Sequence, residues 1–298
     1  MQNSIVTTPA LHRANWKDYL ALCKPKVVLL MLLTALVGAL LAPGWPDPGV
    51  LTIAVIGIAC CAASGAAINN LIDHKLDATM ARTRQRPVVT GHLTPLQALT
   101  FALILAASGL LLLWFLVNPV TMWLTLFALI GYAVIYTLFL KRATPQNITI
   151  GGLAGAMPPL LGWTAVSGQI DPDALLLVLI IFVWTPPHFW ALALHKKDEY
   201  AGAKVPMLPV THGDAFTRTQ ILLYSLLLFA CTLLPFVTGM SSWLYLTGVL
   251  LLNIYQFRGV KQLFDERDPL AAWRLFKYSI QYLMWLFLLL LVDSMIFG

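Results

Sequence analysis

The sequence predicts an all-α polytopic membrane protein with a bundle of about nine transmembrane helices. Of its 298 residues, 59% are hydrophobic and 11% are charged, whereas an average soluble domain is about 25% charged. Apolar stretches recur near the length of roughly 20 residues that one membrane-spanning helix needs. Such spans cross as helices, because lipid offers no partners for open strand edges.

Nine segments are predicted to span the membrane, and we place one domain over residues 27–298, after an interfacial, cytoplasmic N-terminal segment at residues 1–26. The third and fourth spans meet at Asn118 and Pro119, which predicts a tight turn. Pro186 and Pro187 lie inside the sixth span and are expected to interrupt its backbone hydrogen bonds and free carbonyls to line a cavity. In order, the spans cover about residues 27–43, 50–72, 96–117, 120–140, 148–166, 174–195, 219–238, 241–257 and 278–297.

The distribution of basic residues predicts the orientation. All 19 Lys and Arg residues precede the first span or follow the second, fourth, sixth and eighth spans. These segments share one face, which the positive-inside rule makes cytoplasmic, so the C-terminus is expected on the opposite face. The net charge of +6 is thus a topology signal and does not indicate nucleic-acid binding. The N-terminal segment lacks the pattern of a signal peptide, and we expect a multi-pass protein of the bacterial inner (plasma) membrane.

Polar residues collect where the second span ends. Asn69, Asp73 and Asp77 are spaced i, i+4, i+8 and share one face if the helix continues past the membrane edge. Two such carboxylates could hold Mg²⁺, which typically takes one or two carboxylates plus phosphate oxygens of its substrate. The alternative is a pair of solvated helix-end aspartates, but Asp is disfavoured at a helix C-terminus.

Basic residues follow both this segment and the sixth span. Arg82 and Arg86 can donate to phosphate oxygens, so the pattern predicts a diphosphate site at the cytoplasmic membrane surface. In the second cluster, Asp198 and Glu199 could add metal ligands and Lys204 could reach phosphate; a solvated charged loop explains that cluster equally well. No GxxxxGK[ST] sequence is present, which argues against a nucleoside triphosphatase.

Two histidines of the sixth span are further candidates. His188 lies deep in the sixth span, where an ionisable ring is a functional candidate, and His195 lies nearer the interface. The alternative for His188 is a buried histidine bonded to a neighbouring helix.

Asn69, Asn70, Asp73 and Asp77 match the pattern Asn-(Asp/Asn)-x-x-Asp-x-x-x-Asp, through which the chain resembles the UbiA-type intramembrane prenyltransferase superfamily. Four further stretches resemble its branch that transfers a farnesyl group to protoheme IX. The similarity runs from about Lys24 to the end of the ninth span. The four stretches are "RTRQRPVVTG", "KRATPQNITIGGLAGAMPPLLGW", "TPPHFWALALHKKDEYAGAKVPMLP" and "THG".

The resemblance implies that farnesyl diphosphate loses diphosphate, a vinyl group of heme b captures the allylic cation, and water completes heme O. It implies Asp73 and Asp77 as Mg²⁺ ligands, with Asn69 or Asn70 in support, and Arg82 and Arg86 on the diphosphate. In the second superfamily motif, Asp-x-x-x-Asp, the last position is Asp198 but the first is Leu194. Glu199 or His195 would have to substitute there.

The same resemblance brings heme into the site. His188 could bind the iron or orient a propionate, since an imidazole is a common axial ligand. Lys141, Arg142 or Lys204 could meet the propionates, and Tyr136 could offer its ring face to the allylic cation. Expected partners are the lipid membrane and, further out, heme A synthase or the assembly of a terminal oxidase.

Two rival functions stay open on the sequence. One is a prenyltransferase that acts on a quinone precursor or another aromatic acceptor. The other is a transporter of an anionic metabolite, although transporter sites usually lie near the membrane midplane and the arginines here lie at its edge.

Overall fold

The computed structural model describes residues 14–265 and 268–297, so the first half of the predicted N-terminal segment lies outside the described residues. Within these ranges the regular secondary structure is entirely helical, and turns connect the helices. A π-helical segment, Gly131–Leu140, separates α6 from α7. The α-helices are α1 Trp16–Leu22, α2 Pro25–Leu41, α3 Pro48–Ile72, α4 His74–Asp77, α5 Pro95–Leu116, α6 Pro119–Ile130, α7 Lys141–Ala143, α8 Asn147–Ala156, α9 Pro158–Ser167, α10 Pro172–His195, α11 Lys197–Gly202, α12 Leu208–Thr211, α13 Gly213–Val237, α14 Trp243–Gln262 and α15 Ala271–Phe297.

Helix occupies the main part of each predicted span, and two short helices, α8 and α9, share the fifth. By length and hydropathy, six helical stretches in the described ranges could each cross a membrane. A seventh would be the pair α1 and α2, which is bent by 55°. The all-helical, multi-span class is therefore confirmed, whereas nine crossings and the orientation of the termini stay predictions.

Several long helices begin at a polar cap followed by proline. The side chains of Asp47 and Asn118 accept hydrogen bonds from the amides of Val50 and Thr121. Such caps satisfy amides that have no partner inside the helix, and proline at the first helical position loses no hydrogen bond. The tight turn predicted at Asn118 and Pro119 is therefore confirmed, with α5 ending two residues before Asn118.

Helix α10 is largely buried between α8, α9, α13 and α15. It continues through Pro186 and Pro187, both of which are buried. The two prolines therefore do not break the helix, and they belong to the packed interior. Close approach elsewhere depends on Gly162 in α9, where a Cβ atom would lie 1.7 Å from the carbonyl oxygen of Ala35 in α2.

One end of the bundle gathers the polar segments. The C-terminal end of α3, the π-helical segment with α7, and the connections at residues 78–94 and 196–212 all meet there. This end carries the candidate site.

Candidate active site

The helical ladder of α3 continues past its last residue and carries the first motif on one face. The amide of Asp73 donates to the carbonyl of Asn69 at 3.0 Å, and the amide of Asp77 donates to the carbonyl of Asp73 at 2.8 Å. Although α3 ends at Ile72, the short helix α4 extends this pattern. Asn69, Asp73 and Asp77 therefore lie above one another, as their spacing predicts.

Asp73 is fully buried and lies between an amide and two basic groups. Its Oδ2 accepts hydrogen bonds from Nδ2 of Asn69 at 2.8 Å and from Nζ of Lys141 at 2.5 Å. The guanidinium of Arg142 lies 3.9 Å from Oδ1, which has no hydrogen-bond partner. A carboxylate removed from water needs such compensation to stay ionised. Lys141 and Arg142 thus lie at the carboxylates, and their predicted contact with heme propionates stays a prediction.

Asp77 is almost as buried and is paired with the predicted arginine. Nη1 of Arg86 lies 2.5 Å from its Oδ2, and the hydroxyl of Thr83 donates to its backbone carbonyl at 3.0 Å. These contacts fold the following loop back over the end of α3. Arg82 is exposed and makes no ion pair with a described residue, so its guanidinium remains available to an anion.

Lys24 is a site residue that the sequence reasoning did not assign. Its Nζ donates to Oδ1 of Asn69 at 2.5 Å and lies 3.5 Å from the hydroxyl of Tyr132. Its backbone adopts a left-handed conformation with φ 49°, which is uncommon for a residue with a side chain. No local pattern in the sequence points to this contact, because Asn69 lies 45 residues further along the chain.

Tyr136, predicted to face the allylic cation, belongs to a pair of parallel rings. Its ring centroid lies 5.8 Å from that of Tyr132, with 10° between the planes. Gly151 of α8 makes room for it, since a Cβ atom there would lie 2.2 Å from a ring carbon of Tyr136. Two stacked phenol rings beside the carboxylates offer π-faces to a cation.

The second polar cluster is folded into α11. Lys196 pairs with Glu199 at 2.7 Å, and Oε2 of Glu199 is buried without a hydrogen-bond partner. Asp198 is exposed. Lys204 is exposed too and has a left-handed backbone with φ 54°. Glu199 therefore presents an uncompensated buried oxygen, while Asp198 is fully open to a ligand or to water.

An apolar cluster joins the two polar loops. Met80 of the first loop packs with Tyr200, Val205 and Met207 of the second. Burial raises the pKa of the Tyr200 phenol, and the positive charge of Arg82 opposes that rise. Arg82 thus lies within electrostatic reach of Tyr200, and the two clusters, which are more than a hundred residues apart in the sequence, lie at the same end of the bundle.

The donor set suits a divalent cation that shares its ligands with a substrate. No three His, Cys, Asp or Glu side chains within residues 14–265 and 268–297 form a ready-made metal site. Mg²⁺ does not need one, because it typically takes one or two carboxylates and completes its shell with phosphate oxygens and water. The unpartnered buried oxygens of Asp73 and Glu199 fit this chemistry.

The histidines take different positions. The His188 ring stacks between Trp184, at 4.3 Å, and Phe276, at 4.6 Å, and its Nδ1 lies 2.6 Å from the hydroxyl of Ser279 on α15. This is the buried, helix-bonded histidine of the alternative interpretation. His195 is only partly buried at the end of α10, and the predicted binding of heme by either ring stays a prediction.

Asn70 and Asn69 differ in role although they are neighbours. Nδ2 of Asn70 donates to the carbonyl of Leu22 at 2.9 Å. It therefore fastens the end of α1 to α3, and of the two asparagines only Asn69 contacts a carboxylate.

Comparison with known proteins finds relatives by sequence and by structure. A protoheme IX farnesyltransferase of Marinobacter nauticus is 59% identical over 284 residues, which cover 95% of this chain and 94% of the relative. One of Hahella chejuensis is 58% identical over 297 residues, covering 99% and 98%.

Two solved structures share the fold. A digeranylgeranylglyceryl phosphate synthase superposes with a TM-score of 0.78 at 18% identity, covering 94% of this chain and 98% of the other. A UbiA homolog from Archaeoglobus fulgidus bound to DMAPP and Mg²⁺ gives a TM-score of 0.66 at 17% identity, covering 92% and 99%. The sequence profile of the UbiA prenyltransferase family matches residues 31–290. The chain therefore belongs to the UbiA prenyltransferase family.

Proposed function

We propose that this protein transfers a farnesyl group from farnesyl diphosphate to a vinyl group of heme b, which gives heme O and diphosphate. The allylic C–O bond breaks and its electron pair leaves with diphosphate. The vinyl carbon then forms a C–C bond to the allylic cation, and water adds its oxygen to the resulting cation and releases a proton. The observation that carries the proposal is the buried pair Asp73 and Asp77, surrounded by basic groups, in a chain close to named farnesyltransferases.

In this proposal, Asp73 and Asp77 hold Mg²⁺, with Glu199 or Asp198 as further ligands. When bound, the metal stabilises the negative charge that grows on the leaving diphosphate. Arg82 and Arg86 bind phosphate oxygens, and their charge helps most when the C–O bond is breaking. Asn69 orients the carboxylate of Asp73, and Lys24 in turn holds the amide of Asn69.

Other residues of the site would contact the two apolar substrates. Tyr132 and Tyr136 flank the position where the allylic cation would form, and their rings can stabilise it without acting as nucleophiles. His195, at the end of α10 and stacked on Trp273, is a candidate for contact with heme. Lys204 and Arg142 are both exposed and are candidates for the propionates.

The location follows from the charge distribution. We propose nine crossings, an N-terminus in the cytoplasm of a bacterial cell, and an active site that opens to the cytoplasmic side of the inner membrane. All four residues that we assign to the diphosphate and its metal, Asp73, Asp77, Arg82 and Arg86, lie at the Lys- and Arg-rich end.

The test is a reconstituted reaction. The purified protein in lipid nanodiscs receives heme b, farnesyl diphosphate and Mg²⁺, and the heme is then analysed by mass spectrometry. We expect a product that has gained one farnesyl group and one hydroxyl group, and none when Mg²⁺ is chelated. A quinone precursor is added as a competing acceptor. If it is prenylated while the heme stays unchanged, the enzyme acts on another class of acceptor.

A further inference from the structure

The segment between α6 and α7 is wound as a π-helix over ten residues, Gly131–Leu140. Such winding is rare and usually confined to single turns, often at functional sites. Here it occupies roughly two turns of a membrane span and ends directly before Lys141. The hydroxyl of Thr137 donates to the carbonyl of Tyr132, five residues earlier, at 2.8 Å, which reinforces the wide turn.

The winding decides which side chains share a face. An α-helix turns about 100° per residue, so Tyr132 and Lys141, nine residues apart, would lie about 180° from each other. A π-helix has roughly 4.4 residues per turn and turns about 82° per residue, which brings the same two residues to within about 20°. Only the π-helix therefore lets both residues face α3, where Tyr132 lies against Gly65 and Lys141 contacts Asp73, just past the end of α3.

The contacts agree with the wide winding. Tyr132 reaches Lys24, Thr137 accepts from Asn69 at 3.3 Å, and Lys141 reaches Asp73. The opposite face presents apolar side chains outwards; these are Val134, Ile135, Leu138 and Phe139.

We propose that the π-helical winding of Gly131–Leu140 is a positioning element of the site, which sets the register that delivers Lys141 to Asp73. Lys141 acts here as a positioning residue: its ammonium balances a carboxylate that has no exposure to solvent. In a regular α-helix, position 139 would take this place, because it lies about 20° from Tyr132. A catalytic role of this winding rests on the proposed function, whereas the register that places Lys141 at Asp73 does not depend on it.

A zero-length crosslink tests the register without any substrate. An apolar, membrane-permeant carbodiimide activates a carboxyl group inside the bundle and couples it to an amine in contact with it, and peptide mass spectrometry identifies the pair. In the unaltered protein we expect a Lys141–Asp73 crosslink, with Lys197–Asp214, an ion pair at 2.7 Å between α11 and α13, as the internal reference. Recovery of Asp73 as the N-acylurea of the reagent, without a link to Lys141, would overturn the proposal.

The Phe139→Lys variant sharpens the test, because it offers lysines at both candidate positions and keeps Lys141. The π-helix predicts that only Lys141 is coupled to Asp73, whereas coupling of the lysine at position 139 would overturn the proposal. Mg²⁺ with inorganic diphosphate is then expected to lower the Lys141–Asp73 yield several-fold and leave Lys197–Asp214 unchanged. If the crosslink forms but does not respond to Mg²⁺ and diphosphate, the proposed diphosphate site fails and the register stands.

Discussion

Asp73 has no solvent exposure, yet an amide and an ammonium group both hydrogen-bond one of its oxygens. The other oxygen has no hydrogen-bond partner. Burial of a carboxylate is costly unless a charge compensates it. In the proposed function, this free oxygen is a ligand of Mg²⁺.

We expect Asp73→Asn and Asp77→Asn to lower kcat by about 10² to 10³, since each removes a ligand for the charge that stabilises the leaving group. The amide keeps the size of the side chain, so insertion and folding are expected to persist. The measurement is turnover in nanodiscs beside a thermal unfolding curve. The matched control is Asp47→Asn at the far end of α3, where Asn caps a helix as well as Asp. Near-normal turnover of the Asp73 and Asp77 variants would contradict the metal assignment.

Arg82 and Arg86 are expected to behave differently because only Arg86 is tied to a carboxylate. Arg82→Ala should raise KM for farnesyl diphosphate by about 10- to 100-fold, the range of one or two lost hydrogen bonds to a charged group, without lowering the melting temperature. Arg86→Ala should lower both activity and melting temperature. Arg84→Ala, an exposed arginine between them, is the control. An equal effect of Arg84→Ala would make the loop a non-specific basic surface.

The two histidines can be separated by spectroscopy and stability. We expect His188→Ala to destabilise the protein by on the order of 2 kcal/mol, a usual cost for a buried, hydrogen-bonded side chain. His195→Ala should leave the melting temperature unchanged and alter the absorption spectrum of bound heme. If the heme spectrum changes with His188→Ala and not with His195→Ala, His188 is the residue that binds the heme iron.

At the scale of helices, small residues decide how closely the site can be enclosed. Gly151 and Gly155 lie one turn apart on α8, but only Gly151 faces a ring. A Cβ atom at Gly151 would lie 2.2 Å from Tyr136, whereas at Gly155 it would meet no atom within 4 Å.

This pair gives a matched prediction. Gly151→Ala should displace Tyr136, lower activity and cost about 1–3 kcal/mol by overpacking. Gly155→Ala should leave activity unchanged and stabilise the helix by up to about 1 kcal/mol. Both are read from kcat and from unfolding in mild detergent. Equal activities of the two variants would remove Tyr136 from the site.

Much of the helical structure around the site could be predicted from the sequence. Asn69, Asp73 and Asp77 have the period of a helix, so their common face could be predicted before the fold. The cap at Asn118 and Pro119 could be predicted too, because its signal is local. The winding of Gly131–Leu140 could not, since its residues are as apolar as those of any span and the choice between α- and π-helix depends on contacts with α3. Lys24 was missed for the same reason: its partner is 45 residues away.

At the scale of the whole molecule, the orientation in the membrane is the main open prediction. Two exposed positions mark the two ends of α3: Trp45 before it and Arg84 after it. In a variant without native cysteines, a cysteine at position 84 should react with a membrane-impermeant maleimide only in inside-out vesicles. A cysteine at position 45 should react only in right-side-out vesicles. The reverse pattern would contradict a cytoplasmic active site. The cysteines to be replaced are Cys23, Cys60, Cys61 and Cys231.

The apolar contact between Met80 and the trio Tyr200, Val205 and Met207 has a consequence for engineering. Neither loop can be lengthened or exchanged alone, because the other loop would then expose its apolar side chains to water. A chimera with a related enzyme should therefore swap both loops as one cassette. Recombination that keeps this pairing should keep the apolar cluster intact, while single-loop grafts should yield proteins that insert but turn over poorly.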